Sequence, residues 1–428
     1  MKTLALRILQ WKLTFLAKRV LARYAPVIVG VAGSVGKTSA VQAIALALGK
    51  DYRVGQTLRS YNQELGVPLS ILREETGYRS LWKWFGILQR GWLLAFGRRN
   101  ATYPNLLVLE LGADKVGDID RLLAWIHPTV GVLTAATVEH VEFFGSVQAA
   151  AEEERKMVTL LPATATAVIN ADDPEVLSAK ASAPGKVVTF SQVQSADVQL
   201  THAAILGSTA QDVQGITAKV EVAGSTLPIV IRDTLGRHSL TAVGAAFGVA
   251  HALKLNLAAV AGQLASYQPP AGRMRIIKGI KQTVIIDDTY NSSPAAAVAA
   301  LDTLHELHTA GRKYAILGDM RELGSVSDAE HQKIGRYVVG KVDILITVGE
   351  QAKHIANTAT AAGMNQDTVF SFDKPEGVGN FLQDRLHPGD LILVKASQGT
   401  RCEKVIKEIM AEPERAGELL TRQYRPWI

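Results

Sequence analysis

The run Val27-Ile-Val-Gly-Val-Ala-Gly-Ser-Val-Gly-Lys-Thr-Ser39 sets an apolar strand, a glycine-bearing turn and the start of an alanine-rich helix in immediate succession. That order commits the chain to an α/β core, because the strand needs neighbours on both edges and the helix, reading to about Leu48, must pack back on the sheet. It also builds a phosphate cradle. Gly33 and Gly36 let backbone N–H groups converge on an oligophosphate, and the helix N-terminus adds partial positive charge. Lys37 can neutralise terminal phosphates, and the Thr38 hydroxyl can reach a Mg²⁺. Gly33, Ser34, Val35, Gly36, Lys37, Thr38 and Ser39 are therefore the expected nucleotide-binding residues. Strict Walker A spacing would need glycine at Val31, so this is the shorter G-x-x-G-K-T form.

With 428 residues, 47% of them hydrophobic, the chain can support two or three domains with separate cores. A net charge of +6 is modest for this length, and the basic residues cluster in particular segments, so no nucleic-acid partner is expected. Cys402 is the only cysteine, which excludes an internal disulfide and fits a reducing cytoplasm. No stretch of about 20 residues is free of charge, and no cleavable leader is evident. Neither a spanning helix nor a signal peptide is expected.

Residues 1–25 read as a helix ended by Pro26, with six basic residues and no acidic one. At the helical period, Leu4, Ile8, Trp11, Phe15 and Ala22 form one apolar stripe. Leu6, Leu9, Leu13, Leu16, Val20 and Tyr24 form another. Two stripes serve two contacts, the second with a partner, a membrane surface or another domain. Leu106–Glu110, Val130–Thr134 and Ala167–Asn170 read as buried parallel strands. Residues 187–232 change to a β-hairpin or small antiparallel subsheet, and a helix over Thr241–Leu253 follows. Pro269-Pro-Ala-Gly-Arg273 marks a boundary. Beyond it, strands at Val284–Asp287, Tyr314–Leu317, Ile344–Val348, Val369–Phe372 and Leu391–Val394 alternate with helices as in a doubly wound module. The expected fold is α/β: a basic helical extension (1–25), a P-loop central domain with a parallel sheet and a small antiparallel subdomain (26–271), and a Rossmann-like C-terminal domain (272–428).

Glu110 closes a buried strand, so its carboxylate should emerge beside the phosphate loop, where a hard Mg²⁺ ion needs oxygen; a helix cap or ion-pair role is the alternative. His140 follows the next strand, where a structural role is the alternative. Taken with these, several blocks resemble the Mur ligases, and within them the MurF type that joins D-alanyl-D-alanine to UDP-N-acetylmuramoyl-tripeptide. The blocks are Tyr61–Pro68, Glu110-Leu-Gly-Ala, Glu139-His140 with Phe144-Gly-Ser146, Asn170-Ala-Asp-Asp173, Gly236-Arg-His238, Gly272-Arg273, Asp287–Pro294, Leu317–Gly324 and Val394–Arg401, in family order.

The resemblance implies an ATP-dependent amide ligase of peptidoglycan synthesis. ATP phosphorylates a substrate carboxylate, and an incoming amine displaces phosphate. It implies Lys37, Glu110 and His140 as catalytic groups, with one Mg²⁺ held by Thr38 and Glu110 and His140 as the ligand of a second. Asp288 and Asn291 would hold ribose and adenine, Arg273 would contact nucleotide or phosphate, and Lys395, Ser397 and Arg401 would place the amine, plain backbone support after the terminal strand being the alternative for that loop. The substrates would be a muramyl peptide and a D-Ala-D-Ala-type dipeptide, with domain closure hinged near Pro269–Arg273.

Two departures stand out. Many Mur ligases carry a carbamoylated lysine near Mg²⁺; counting from His140 puts Glu154 at its place, with Lys156 about 200° around the helix. Glu154 is then either a direct carboxylate ligand or part of a solvated charged face. Secondly, only 26 residues precede the first core strand, so the usual uridine-nucleotide domain is expected to be missing. Residues 1–25 and 79–99, basic and rich in tryptophan, suit a peripheral membrane contact or a dimer or domain contact that buries the N-terminal helix. Alternative readings are a Mur-type ligase with a lipid-linked or polyglutamate-like acceptor, and a membrane-associated nucleotide-binding protein without ligase activity.

Overall fold

The computed structural model describes residues 2–58, 62, 64–78, 80–136, 144 and 146–423. Short, mostly apolar runs form the strands of the first sheet, its central members buried on both faces. The first strands are β1 (Val27–Ala32), β2 (Val54–Gln56), β3 (Leu106–Glu110), β4 (Val130–Leu133), β5 (Thr166–Asn170) and β6 (Lys186–Ser191). They continue into β7 (Val198–Leu206), β8 (Gly215–Val222) and β9 (Ser225–Arg232), giving the order β2-β3-β1-β4-β5-β6-β7-β8-β9. Pairings from β2 to β7 are parallel. The strand order reverses around β1, so the crevice at its carboxyl end is the natural ligand site of such a sheet. A second sheet contains β10 (Arg275–Lys278), β11 (Val284–Asp288), β12 (Lys313–Gly318), β13 (Ile344–Val348), β14 (Val369–Phe372) and β15 (Leu391–Lys395), in the order β10-β11-β15-β12-β13-β14. Only its β10–β11 pair is antiparallel.

The chain forms two compact units: Met1–His202 with Ala218–Ile229 and Leu240–Tyr267, and Ala203–Thr217 with Val230–Ser239 and Gln268–Ile428. Residues 203–217 and 230–239, read from the sequence as part of the central domain, fall in the second unit because they bond there. Ala210 N donates to His308 O (2.8 Å) and Leu235 N to Met274 O (3.0 Å).

In the first unit, the N-terminal helix Lys2–Tyr24 resolves the two-stripe ambiguity in part. Leu13, Leu16 and Val20 enter the core with Ala17, whereas Leu4, Ile8, Trp11 and Phe15 are exposed, as is Leu6. Burying those three large side chains is worth about 5–8 kcal/mol as an upper estimate, enough to fix the helix on the body. It packs on the helix Leu81–Phe96, where Gly91 makes room: a Cβ there would lie 3.2 Å from Leu16 Cδ1. In the second unit the sheet separates two apolar clusters, one on each face. Cys402 lies in one of them, and burial pushes its thiol up, so it is inert.

Candidate active site

The first unit assembles its site around the loop after β1. Register places Glu110 opposite Val31, and Ala32 opposite Leu133. The ends of β3 and β4 therefore flank the loop. Gly33 adopts φ +134°, and a Cβ there would lie 2.3 Å from Thr134 Oγ1, so only glycine fits. Thr134 closes the turn from behind, its hydroxyl donating to Val35 O at 2.6 Å. Gly36 (φ +83°) hands the chain to the helix Lys37–Leu48, whose first N–H groups face the loop. Lys37 Nζ curls back onto the carbonyls of Gly33 and Ser34. Thr38 Oγ1 donates to Glu110 Oε2 at 2.9 Å. Ser39 is buried, and its carbonyl accepts the Tyr267 hydroxyl at 3.2 Å.

Glu110 is buried and held on every side. Thr57 Oγ1 accepts its N–H (2.7 Å), and Asn62 Nδ2 donates to Oε1 (3.0 Å). Asn62 is a group that residue-by-residue reading missed, although it sits inside the quoted Tyr61–Pro68 block. Its carbonyl also accepts Gly112 N at 2.7 Å.

The helix Val147–Thr159 presents its three consecutive glutamates in three directions. Glu152 is exposed. Glu153 caps the helix Asp118–Leu123, accepting from Gly117 N (3.0 Å) and Ile119 N (2.8 Å). Glu154 turns to the phosphate loop, where its Oε2 accepts the Gly33 N–H at 2.7 Å in a buried setting. Lys156 points elsewhere, into ion pairs with Asp120 and Glu153. Partial burial lowers its pKa, but the two carboxylates outweigh that and raise it, so it stays an ammonium. An ammonium has no lone pair with which to take up CO₂.

In the second unit, parallel register sets Asp288 of β11 beside Lys395 of β15. Their side chains form a buried ion pair, Lys395 Nζ donating to Asp288 Oδ2 at 2.6 Å and to Asn291 O at 3.0 Å. Met274 N donates to the other oxygen of Asp288 (3.2 Å). Lys395 is thus spent on positioning the Asp288–Asn291 turn, while the Asn291 side chain is exposed. Ser397 Oγ accepts from Arg321 N (2.9 Å) and donates to Ser292 O (3.3 Å), tying the Lys395–Arg401 loop to the turn after β12. Arg401 pairs with Glu403, which Arg422 also engages at 3.0 Å. Arg273 lies over the Tyr290 ring at 4.3 Å, with Nε buried and without a hydrogen-bond partner. Asp287 is fully buried. Desolvation outweighs its hydrogen bonds from Thr289 and pushes its carboxyl up to about 7, and Oδ2 has no hydrogen-bond partner.

Tyr61, Gln63, Glu139 and His140 lie outside the described residues. Among the described residues, no three His, Cys, Asp or Glu side chains converge as a metal cluster. Among the described residues, the side-chain donors around the phosphate loop are oxygens of Thr38, Glu110 and Glu154, a set that suits a Mg²⁺ completed by phosphate oxygens and water.

A model of the Mur ligase middle domain matches residues 93–250, and one of the Mur ligase glutamate ligase domain matches 272–398. The UDP-N-acetylmuramoyl-tripeptide–D-alanyl-D-alanine ligase of Bacillus subtilis is 27% identical over 405 residues, covering 93% of this chain and 79% of the relative. That of Synechocystis is 28% identical over 395 residues, covering 91% and 76%. The crystal structure of MurF ligase from Thermotoga maritima in complex with ADP superposes with a TM-score of 0.76 at 25% identity, covering 95% of this chain and 84% of the other.

Proposed function

The chain belongs to the Mur ligase family, and we propose that it is an ATP-dependent amide ligase that adds D-alanyl-D-alanine to a muramyl-peptide carboxylate. The observation that carries this reading is the Thr38–Glu110 hydrogen bond at the head of a glycine-loop helix. It sets two oxygen donors beside the place where a nucleotide's terminal phosphates meet backbone N–H groups.

A carboxylate is a poor acyl donor because its leaving group would be oxide. Attack of the carboxylate oxygen on the γ-phosphorus of ATP gives an acyl phosphate and ADP. The amine nitrogen then attacks the acyl carbon, and the tetrahedral intermediate expels phosphate, the amine losing its proton as the amide forms. Two anions must first meet, so the site needs positive charge. Lys37 and the helix N-terminus provide it from the chain. A Mg²⁺ held by Thr38, Glu110 and Glu154 would supply the rest by neutralising phosphate oxygens. Glu154 serves there as a permanent carboxylate, since Lys156 is engaged by Asp120 and Glu153. In the second unit, Asp288 and Asn291 serve the nucleoside and Arg273 the phosphate side, with Ser397 and Arg401 near the amine.

A coupled phosphate-release assay tests the reading. Phosphate should appear only when ATP, D-Ala-D-Ala and a muramyl-peptide acceptor are all present, and hydroxylamine should trap the acyl phosphate as a hydroxamate. Release that ignores both substrates across UDP-linked and lipid-linked acceptors would refute ligation.

A further inference from the structure

The helices Lys2–Tyr24 and Leu81–Phe96 carry a surface that nucleotide chemistry does not explain. Each buries one face against the body of the first unit, through Leu13, Leu16 and Val20 on one helix and Ile87, Gly91 and Ala95 on the other. Each exposes a second apolar face. On the N-terminal helix, Leu4, Ile8, Trp11 and Phe15 fall within an arc of about 60°. On the other helix, Leu81, Trp82, Phe85, Trp92, Leu93 and Phe96 fall within an arc of about 120°.

The two faces are one surface. Trp11 stacks on Phe15 at 6.0 Å, Phe15 on Phe96 at 6.3 Å, and Phe96 meets Trp92 at 5.5 Å, a ring series that crosses from helix to helix. Its members remain 66%, 45%, 39% and 56% exposed in that chain order of contacts, and Trp82 is 85% exposed. An apolar patch of this kind marks a contact site.

Charge identifies what it contacts. Residues 1–25 and 76–109 together hold eleven basic residues and no acidic one, although the whole chain's formal charge is only +6, so the remainder of the molecule is net acidic. Arg7, Lys12, Lys18 and Arg19 are exposed on the first helix, and Lys83, Arg98 and Arg99 on or just after the second. Arg19 sits over the Phe96 ring at 5.1 Å, beside the aromatic series itself. Two others are engaged: Arg90 pairs with Glu74 at 2.6 Å, and Arg23 donates to Gly97 O at 2.6 Å.

A second copy meeting this patch through a twofold axis would set cations against cations, which a self-complementary interface cannot tolerate. An anionic bilayer suits both halves: aromatic and aliphatic groups enter the acyl boundary while lysine and arginine stay among phosphates. No described helix is long and apolar enough to cross a membrane, so the contact is interfacial.

We propose that this two-helix face docks the protein on an anionic lipid bilayer. The test is co-sedimentation of the full chain with phosphatidylcholine vesicles, with and without phosphatidylglycerol, alongside tryptophan emission. The anionic vesicles should bind at least about tenfold more tightly, since each cation at the headgroup level contributes about fivefold. Emission should shift to the blue as Trp11, Trp82 and Trp92 leave water.

Trp11→Ala/Trp82→Ala/Trp92→Ala should weaken binding at least about tenfold. Lys83→Glu/Arg98→Glu/Arg99→Glu should abolish the anionic preference. Circular dichroism and thermal unfolding should be unchanged in both variants, because every substituted side chain is exposed. Protein that stays in the supernatant with anionic vesicles overturns the proposal, as does wild-type binding by both variants. A solution dimer that the tryptophan variant converts to monomer overturns it too, by assigning the patch to a second copy.

Discussion

Substitutions at Glu154 separate a packing role from a chemical one. Its Oε2 accepts the Gly33 N–H at 2.7 Å in a buried setting. A hydrogen bond to a charged acceptor contributes about 1.5–3 kcal/mol, and a buried donor left unmatched costs about 1–3 kcal/mol. Glu154→Ala removes the acceptor, so the nucleotide-free protein should lose about 2 kcal/mol. Glu154→Gln keeps an amide oxygen at the same reach and loses only the charge, so its loss should stay near or below about 1 kcal/mol. Chemistry should not follow that order. If the negative charge holds Mg²⁺ against the phosphates, both variants should lose turnover by about 100-fold or more, the scale of removing one electrostatic partner of a transition state. Both should also lose the Mg²⁺ dependence of ADP affinity. Lys156→Ala is the control: its side chain is 27% exposed and pairs with Asp120 and the buried Glu153, so it should cost about 1–3 kcal/mol of stability and leave turnover intact. Urea unfolding, calorimetric ADP titration with and without Mg²⁺, and phosphate release supply the three readouts. Glu154→Gln with wild-type turnover and Mg²⁺ response, beside an inactive Lys156→Ala, would refute the assignment.

The Lys395–Asp288 pair, with side chains 2% and 10% exposed, should behave as a buried ion pair. Lys395→Met alone should cost about 3–5 kcal/mol in the amide-exchange stability of β11 and β15, and adding Asp288→Asn should recover at least about half; strictly additive losses would contradict the pairing. Gly33→Ala forces a Cβ to 2.3 Å from Thr134 Oγ1 at φ +134°, and should cost about 2–4 kcal/mol and abolish ADP binding by calorimetry. Wild-type ADP affinity there would show that the loop is not the nucleotide site. Asp287 titrates near 7 in the folded protein and near 3.8 unfolded. The folded state therefore holds the extra proton between those values, and its contribution to stability falls as pH rises from about 4 to about 7, by at most about 1.4 kcal/mol per pH unit. Asp287→Asn should flatten that part of the pH profile of urea midpoints. An unchanged slope would place the titration elsewhere.

Much of this protein is local and therefore legible from one dimension. Val27–Ser39 dictates strand, turn and helix through apolar content, glycine and an alanine-rich run, and the central strands β3, β4, β13 and β15 read as short apolar segments because both their faces are buried. Glu110 could be placed at a sheet edge for the same reason: it ends such a segment. The sequence could not decide among equivalent neighbours. Glu152, Glu153 and Glu154 are identical in type and consecutive, yet one faces solvent, one caps a helix 34–36 residues earlier in the chain, and one reaches Gly33. Likewise Asp288 and Lys395, 107 residues apart, meet because parallel register aligns β11 with β15. The N-terminal helix makes the point most simply. Its composition determined two apolar stripes, and only packing decided which would be buried and which left to solvent. Periodicity fixes what lies on a helix face, whereas what that face meets depends on where distant segments bring their own surfaces.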